Sequence, residues 1–465
     1  MRTFTTLWFS RLMAAIGIYM ADFAITLWVW NLTGSAAALA LTGFFYELPR
    51  IVASLSAGIL IDRMGCKFLM ILSRVVTASA TLVVLLLYLS GHLAIWHLYA
   101  VAFAKSGFEK CGWIAYEASV ALIVEPHNYT RANSMEEATG YSASIIAPAT
   151  AGVLYPIVGL GGILPINLVA LFLAIATLTT LYIPRPAATP DASSDQAIKA
   201  SNADGKQRTD IITKFGRLWA DVTFGLRYVW RGSEGVASPT RRLRTLLVVT
   251  LLFWLIYGLS DMVYAPMILS RTDSNSAALG AIDTVWGFGG IIGAIALTIW
   301  GGFRQTYKGL LLGGIGIAFA EIAFGLGRGL AVWIPAQFCA ALIFPLIRGS
   351  ESTLWMSATP ISLQGRVFAA RAVADDILDM GVVLSGGVLG DALEAWFQQQ
   401  VSTSAMSSSH LWQSLLVYLF GRGAGAGYAL FYVGCAIVML LVGIIGFRLP
   451  QLRLIGKTKK AESKL

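Results

Sequence analysis

The segment Gly58-Ile-Leu-Ile-Asp-Arg-Met-Gly-Cys-Lys67 separates two apolar runs, residues 38–61 and 68–90. Each run exceeds the length of about 20 residues that a helix needs to cross the hydrocarbon core of a membrane. Glycine permits a tight turn, and the charges of Arg63 and Lys67 favour the cytoplasmic side. Asp62 can face the positive N-terminal end of another helix. The segment therefore predicts two spanning helices joined by a short inner loop.

The composition of the whole chain points the same way. Of the 465 residues, 57% are hydrophobic and 13% are charged, whereas a soluble globular chain carries about 25% charged residues. Such a chain cannot cover a soluble surface with polar side chains. Its apolar runs are continuous and lack the alternation of a transmembrane barrel. The apolar content excludes a disordered chain, and the four cysteines are too few for a disulfide scaffold. We predict an all-α polytopic membrane protein.

Twelve apolar runs predict twelve transmembrane helices, called spans 1 to 12. They cover residues 7–30, 38–61, 68–90, 95–124, 133–156, 161–183, 243–269, 276–300, 307–327, 331–358, 367–390 and 426–447. The first six predict an N-terminal half over residues 1–183, and the last six a C-terminal half over 243–448. A linker of residues 184–242 joins the two halves, and a basic tail of residues 449–465 follows.

Within the linker, the composition of residues 184–210 is typical of disorder. Residues 211–230 have apolar side chains at helical spacing and basic side chains between them. This pattern predicts an amphipathic helix that either lies on the inner membrane surface or packs on the ends of the spans.

Lysine and arginine are concentrated in alternate loops. With the N-terminus inside, the outer loops contain only Arg271, Arg328 and Arg422, and the basic linker and tail lie inside. The positive-inside rule therefore predicts that both termini lie in the cytoplasm, and we expect a multi-pass protein of the inner cell membrane. The basic residues do not form one patch with interleaved aromatic residues, so the net charge of +9 does not indicate a nucleic-acid partner.

Charged side chains inside the spans are the functional signal. A charge in the hydrocarbon region is costly, so it usually faces the bundle interior or a wet cavity. The third and sixth spans of each half are nearly free of charge, which predicts that they are peripheral. A desolvated carboxyl can gain and lose a proton as a cavity opens to each side. The candidates for proton coupling are Asp22, Glu47, Asp375 and Asp379.

Spacing along the helices predicts several ion pairs. These are Lys105–Glu109, Arg371–Asp375 and Glu47–Arg50. Depth arithmetic also permits a pair between Arg348 and Asp375, at about 1.5 Å per residue. Asp22 has no cation on its own helix turn. We therefore expect Asp22 to be the freest of these carboxylates and rank it first as a proton carrier, with Glu47 structural or substrate-orienting.

A second set of side chains in the charged spans combines charges with aromatic rings, which suits contact with an amphiphilic ligand. These candidates for the substrate cavity are Arg50, Glu109, Trp113, Tyr116, Tyr257, Asp261, Trp286, Arg348 and Glu351. Tyr46, Trp254 and Tyr264 are further aromatic candidates. The alternative interpretation of the rings is packing between helices or contact with lipid.

The segment from Gly58 to Lys67 resembles the signature between spans 2 and 3 of major facilitator transporters, with Cys66 at its first basic position. Residues 32–36, 224–229 and 364–368 resemble the macrolide-efflux and enterobactin-exporter branch of that superfamily. The resemblance implies the major facilitator fold and a site between the halves near the bilayer midplane. It also implies a gate in which Asp62 faces span 11. The gating candidates are Gly58, Asp62, Arg63, Gly65, Lys67 and Arg366.

The same resemblance implies a proton-driven exporter of an amphiphilic small molecule such as a drug, siderophore or secondary metabolite. The sequence departs from antiporters of the superfamily in span 5, where residues 147–152 match a G-P-x-x-G-G element only in part. The loop at 301–308 is a degraded copy of the first signature. The direction of transport and its coupling to protons therefore stay open at this point.

Two alternatives remain. One is an importer or facilitator of a small anionic or polar solute on the same fold, which Arg50 and Arg348 in the two halves would suit. The other is a membrane scaffold or intramembrane enzyme without transport. The sequence shows no catalytic constellation and no metal-ligand spacing. We therefore expect no enzymatic activity, no metal and no cofactor. The expected partners are a small-molecule substrate, protons and the lipid bilayer, and we expect a monomer.

Overall fold

The computed structural model describes residues 2–124, 129–182, 227, 239–359, 364–404 and 411–455. Every regular element within these ranges is a helix. In chain order the helices are Arg2–Thr33, Ala36–Met64, Cys66–Leu89, Ile95–Ile123, Tyr129–Thr180, Pro239–Arg271, Ser276–Trp300, Thr306–Leu326, Leu330–Ala358, Gln364–Ser404, Leu411–Phe420, Ala426–Arg448 and Pro450–Ile455. The predicted all-helical membrane architecture is confirmed.

Spans 5 and 6 form one continuous run, Tyr129–Thr180, which is divided at Gly159. Gly159 has φ 61° and ψ −169°, a conformation that a residue with a side chain rarely adopts. In the described part of the chain, nine helical segments are long and apolar enough to cross a membrane, and this run is one of them. Spans 4 and 11 are helical but fall outside that set, and both carry several charged residues. The fold therefore fits twelve spans.

The same packing pattern occurs in both halves. Span 1 packs on the run of spans 5 and 6, and spans 2 and 3 both pack on span 4. Correspondingly, span 7 packs on spans 11 and 12, and spans 8 and 9 both pack on span 10. The halves meet where span 2 contacts span 11 and where the run of spans 5 and 6 contacts span 8.

Buried apolar clusters show where the halves are joined. At the predicted outer end, one cluster contains residues of both halves, among them Trp30, Ala151, Leu279 and Tyr428. The ring of Trp30 meets the ring of Tyr428 edge-on at 6.3 Å. At the predicted inner end, the described residues form separate clusters, around Leu69 in the N-terminal half and around Trp355 in the C-terminal half. The halves are therefore closed together at the predicted outer end.

Spans 5 and 8 touch backbone to backbone at this interface. The Ser276 hydroxyl donates a hydrogen bond of 3.0 Å to the Gly152 carbonyl. A Cβ on Gly280 would lie 2.4 Å from the Pro148 carbonyl oxygen, so no larger residue fits without a shift. The partial span 5 element at residues 147–152 thus lies at the contact between the halves.

The signature loop forms the predicted tight turn. Gly65 has φ 80° and ψ 151°, and its amide donates to the Ile61 carbonyl at 2.9 Å. Lys67 donates to the carbonyls of Thr179 (2.9 Å) and Leu181 (2.7 Å), at the end of span 6 in its own half. Lys67 therefore links the start of span 3 to the end of span 6 by two hydrogen bonds.

Several predictions fall outside the described residues. The backbone of the helices includes Gly58, Asp62, Arg63 and Arg366, but their side chains are outside the described part. The predicted amphipathic helix at 211–230, apart from residue 227, and the linker at 184–210 lie wholly outside the described residues. In the basic tail the structure describes residues up to 455.

Candidate functional site

A cavity of about 740 Å³ lies inside the N-terminal half. All of its lining residues come from spans 1, 2, 3, 4 and 6. Its charged lining side chains are Arg11, Asp22, Arg50, Arg74, Lys105, Glu109 and Lys110. Pockets for drug-sized ligands typically measure about 300–1,000 Å³, so the cavity has the right size for a small molecule.

Lys105 is the central cation of this cavity. Its Nζ lies 3.5 Å from Glu109 Oε1, as the i,i+4 spacing predicts, and 3.6 Å from Asp22 Oδ1. Glu109 also accepts hydrogen bonds from the Tyr46 hydroxyl (2.8 Å) and the Thr77 hydroxyl (3.0 Å). The two carboxylates thus share one ammonium group, and Glu109 is the more firmly held.

The environment of Asp22 differs from the expectation in one respect. The sequence shows no cation on the same helix turn, but span 4 supplies Lys105 from a neighbouring helix. Asp22 remains the more accessible carboxylate, since its side chain is 49% exposed while that of Glu109 is 15% exposed. Asp22 is therefore paired on one side and open to the cavity on the other.

Glu47 and Arg50 form the predicted i,i+3 pair, with 3.4 Å between Oε2 and Nε. The Arg50 guanidinium also lies 4.9 Å from the centre of the Tyr46 ring. Arg50 lines the cavity, whereas Glu47 does not.

Trp113 and Tyr116 both line the cavity, and Arg11 covers their rings. The Arg11 guanidinium lies 4.0 Å from the centre of the Trp113 ring and 3.9 Å from that of Tyr116. Arg11 also pairs with Glu136 of span 5 at 2.6 Å. Sequence reasoning did not select Arg11 as a site residue, although a cation inside an apolar run is a recognisable signal.

Two further cations line the cavity, Arg74 of span 3 and Lys110 of span 4. Neither forms an ion pair with a carboxylate among the described residues. The sequence places Arg74 near the predicted inner end of span 3, which we expected to be peripheral. The structure instead places it on the cavity wall, because span 3 packs against span 4.

The predicted aromatic residues of the C-terminal half form a separate group. Trp254 and Tyr257 of span 7 pack against Phe344 of span 10 at 5.8 and 5.9 Å, and Trp286 of span 8 packs against the same ring at 5.2 Å. The Arg348 guanidinium lies 3.7 Å from the centre of the Trp254 ring. Phe344, at the centre of the group, was not predicted from the sequence, since nothing distinguishes it from other apolar residues of span 10.

Glu351 lies at the centre of the charged contacts in this half. It is buried, accepts a hydrogen bond of 3.1 Å from Trp254 Nε1, and pairs with Arg371. Arg371 also contacts Asp375 at 3.4 Å, as the i,i+4 spacing predicts. Glu351 therefore joins spans 7, 10 and 11.

The pair between Arg348 and Asp375 that their depths permit does not form among the described residues. Among the described residues, Asp375 pairs with Arg371, and the Arg348 guanidinium instead lies over the Trp254 ring. Depth arithmetic gives the height of a residue in a helix and not the direction of its side chain, so it could not separate these possibilities. Asp379 lies one turn beyond Asp375 and is exposed.

The candidate cavity residues are thus divided between the halves. Arg50, Glu109, Trp113 and Tyr116 line the 740 Å³ cavity, and the candidates of the C-terminal half do not. The latter are Tyr257, Asp261, Trp286, Arg348 and Glu351. Tyr264 donates to Asp283 at 2.8 Å and packs on Phe324.

Comparison with known proteins places the chain in a family. The sequence profile of the Major Facilitator Superfamily matches residues 7–378. Macrolide efflux protein A of Streptococcus pyogenes is 21% identical over 390 residues, which is 82% of this chain and 88% of that protein. Multidrug efflux pump Tap of Mycolicibacterium fortuitum is 23% identical over 454 residues, which is 96% of this chain and 95% of that protein.

Solved structures share the fold. A bacterial homologue of the iron transporter ferroportin, in an inward-facing state, superimposes with a TM-score of 0.63 at 15% identity, covering 96% of this chain and 98% of that one. The peptide transporter POT in complex with sulfate gives 0.62 at 13% identity, with 98% and 95% covered. The signature loop and the two equivalent six-span halves are consistent with this family. The chain is a multi-pass membrane transporter that belongs to the Major Facilitator Superfamily.

Proposed function

We propose that this transporter exports an amphiphilic small molecule and that inward proton flow drives the export. The observation that carries the proposal is the cavity of about 740 Å³, whose wall combines the aromatic rings of Tyr46, Trp113 and Tyr116 with a lysine shared by two carboxylates. Aromatic rings can pack against the apolar part of a ligand. A carboxylate beside the shared lysine can gain and lose a proton during transport. The names of the macrolide and multidrug efflux relatives support the direction.

Asp22 is the proposed proton carrier. It has one ion-pair partner at 3.6 Å and faces the cavity, whereas Glu109 has three polar partners. A proton on Asp22 would remove its attraction for Lys105 and leave Lys105 to Glu109. Loss of that proton would restore the shared arrangement. Glu47 is the proposed structural or orienting group because Arg50 holds it. Asp375 and Asp379 of span 11 are the next candidates.

The proposed setting is a bacterial inner membrane, with a monomer whose termini are both cytoplasmic. The distribution of lysine and arginine among the loops supports this orientation. In that orientation, the joined cluster around Trp30 and Tyr428 closes the outer side. We propose that Asp62, with Gly58, Arg63, Gly65, Lys67 and Arg366, forms the gate at the opposite side.

A second candidate function is transport of a small anionic solute. The observation in its favour is that Arg74 and Lys110 line the cavity without an ion pair to any carboxylate of the described residues. A bound anion would supply the missing negative charge. Arg50 is paired with Glu47, and Arg348 lies over the Trp254 ring, so both are less available to bind an anion.

The two candidates are separated by transport into inverted membrane vesicles under an imposed proton gradient. The probes are a macrolide, a lipophilic cationic dye and a small hydrophilic carboxylate. Export of a neutral or cationic amphiphile predicts gradient-dependent uptake of one of the first two, which collapses with a protonophore. If none of the probes is concentrated although the purified protein is folded, the export proposal fails.

Arg74→Gln distinguishes the anion alternative. If the carboxylate is the substrate, this variant should raise its half-saturating concentration roughly tenfold, the effect of losing one charged contact. Arg244→Gln is the matched control, since Arg244 is exposed and lies outside the cavity. Equal behaviour of the two variants toward the carboxylate would remove the anion alternative.

A further inference from the structure

Asp391 of the helix Gln364–Ser404 accepts four hydrogen bonds, three of which come from the opposite half. The Ser35 hydroxyl donates to Oδ2 at 2.5 Å, the Ala36 amide to Oδ1 at 2.8 Å and the Ala37 amide to Oδ2 at 3.0 Å. The fourth donor is the Tyr428 hydroxyl of span 12, at 2.5 Å from Oδ1. This carboxylate therefore joins span 2 to the C-terminal half.

The donors from span 2 are the first amides of a helix. Such amides have no partner inside their own helix, and the helix end carries partial positive charge. Ser35 satisfies the Ala38 amide at 3.3 Å, and Asp391 satisfies the two amides before it. The N-terminus of span 2 is thus completed by a residue of the other half.

The backbones are shaped for this contact. Gly387 lies one turn before Asp391 on the same helix, and a Cβ there would be 2.6 Å from the Ala36 carbonyl oxygen. The absent side chain lets span 11 approach the end of span 2 closely enough for hydrogen bonding. The edge-on contact of Tyr428 with Trp30 of span 1 adds a second link between the halves.

Glu394, three residues further along the same helix, makes the equivalent contact within its own half. It accepts from the Gly425 amide at 2.8 Å and from the Tyr428 amide at 3.0 Å, at the start of span 12. Span 11 thus presents two carboxylates that cap helix N-termini. Of these two carboxylate contacts, only that of Asp391 must break if the halves separate at this end.

We propose that Asp391 is the latch of the predicted outer gate, and that release of its hydrogen bonds to Ser35, Ala36 and Ala37 is a required step of the transport cycle. The latch stabilises the conformation closed at that end. Its loss shifts the equilibrium towards the conformation open there. Asp391 acts as a positioning residue and needs no contact with the substrate.

The test measures the distance between spin labels on the two halves. Leu32→Cys and Arg422→Cys place labels at exposed positions on either side of the gate, in a background with the four native cysteines replaced. Asp391→Asn should raise the ratio of open to closed populations roughly fivefold or more, because asparagine lacks the negative charge and one of the two accepting oxygens that face the helix N-terminus. Glu394→Gln is the control, and it should leave this ratio unchanged.

An unchanged distance distribution in Asp391→Asn, or an equal shift in Glu394→Gln, would overturn the proposal. If Asp391→Asn does not fold, Ser35→Ala decides the question, because it removes one donor of the latch and keeps Asp391. Ser35→Ala should also raise the open population. An open population equal to that of the unchanged protein would reject the latch. The distance measurement uses no substrate, so its result is independent of the proposed export function.

Discussion

Lys105 Nζ lies 3.6 Å from Asp22 Oδ1, and this contact joins spans 4 and 1 across the cavity of the N-terminal half. The same ammonium group lies 3.5 Å from Glu109 Oε1. One cation therefore serves two carboxylates with different surroundings. That difference between the carboxylates separates the roles proposed for Asp22 and Glu109.

Asp22→Asn is expected to abolish concentration of substrate against its gradient while substrate binding and downhill exchange largely persist. Asparagine keeps the size of the side chain but cannot carry the proton. Uptake into inverted vesicles under a proton gradient and exchange without a gradient measure the two activities. Concentration against a gradient by Asp22→Asn would rule out this carrier and direct attention to Asp375 and Asp379.

Glu109→Gln is the comparison, and it is expected to lower stability more than Asp22→Asn does. It disturbs a carboxylate that accepts from Tyr46 and Thr77 as well as from Lys105. A hydrogen bond to a charged group typically contributes about 1.5–3 kcal/mol. Thermal unfolding of both variants in the same detergent gives the difference. Equal melting temperatures would show that Glu109 is no more firmly held than Asp22.

Arg11→Gln is expected to destabilise the fold by about 3–5 kcal/mol, the usual cost of removing one member of a buried ion pair. The Arg11 side chain is 8% exposed and pairs with Glu136 at 2.6 Å. Arg50→Gln is the control, because its pair with Glu47 is about one-third exposed and such pairs contribute roughly 0–1 kcal/mol.

A double-mutant cycle isolates the Arg11–Glu136 contact. Adding Glu136→Gln to Arg11→Gln should recover part of the lost stability, since no charge is then left without its partner. Strict additivity of the two changes would show that the pair is not coupled. A loss of stability in Arg50→Gln as large as that in Arg11→Gln would contradict the distinction drawn from burial.

Gly280→Ala is expected to weaken the closed contact between spans 5 and 8. The added Cβ would lie 2.4 Å from the Pro148 carbonyl oxygen, so the helices must move apart. Overpacking of this kind typically costs about 1–3 kcal/mol. Gly434→Ala is the matched control, because a Cβ there meets no atom within 4 Å. The melting temperature should fall for the first variant and stay or rise for the second.

Single cysteines in the 185–207 linker are expected to react with a membrane-impermeant thiol reagent from the cytoplasmic side only. Single cysteines in the 398–409 segment should react from outside only. The physical reason is the strong concentration of lysine and arginine in the linker. Labelling of intact cells and of inverted vesicles compares the two sides. The reverse pattern would invert the orientation and with it the assignment of Asp62 to the inner gate.

The sequence by itself determined the fold class and the helical pairs. Continuous apolar runs leave only spanning helices, because backbone amides in lipid must bond within their own segment. Contacts along one helix follow from spacing alone, so Lys105–Glu109, Glu47–Arg50 and Arg371–Asp375 were all predicted correctly. The turn at Gly65 followed from glycine chemistry in the same way.

Contacts between helices were decided only by the tertiary structure. Lys105 with Asp22, Arg11 with Glu136, and Asp391 with the start of span 2 each join residues that are at least 83 positions apart in the chain. No spacing rule reaches that far, because the rotation of each helix about its axis depends on all its neighbours. The sequence predicted a carboxylate facing a helix N-terminus at Asp62. The structure shows that arrangement at the opposite end of the bundle, with Asp391, because only packing brings span 11 against span 2 there.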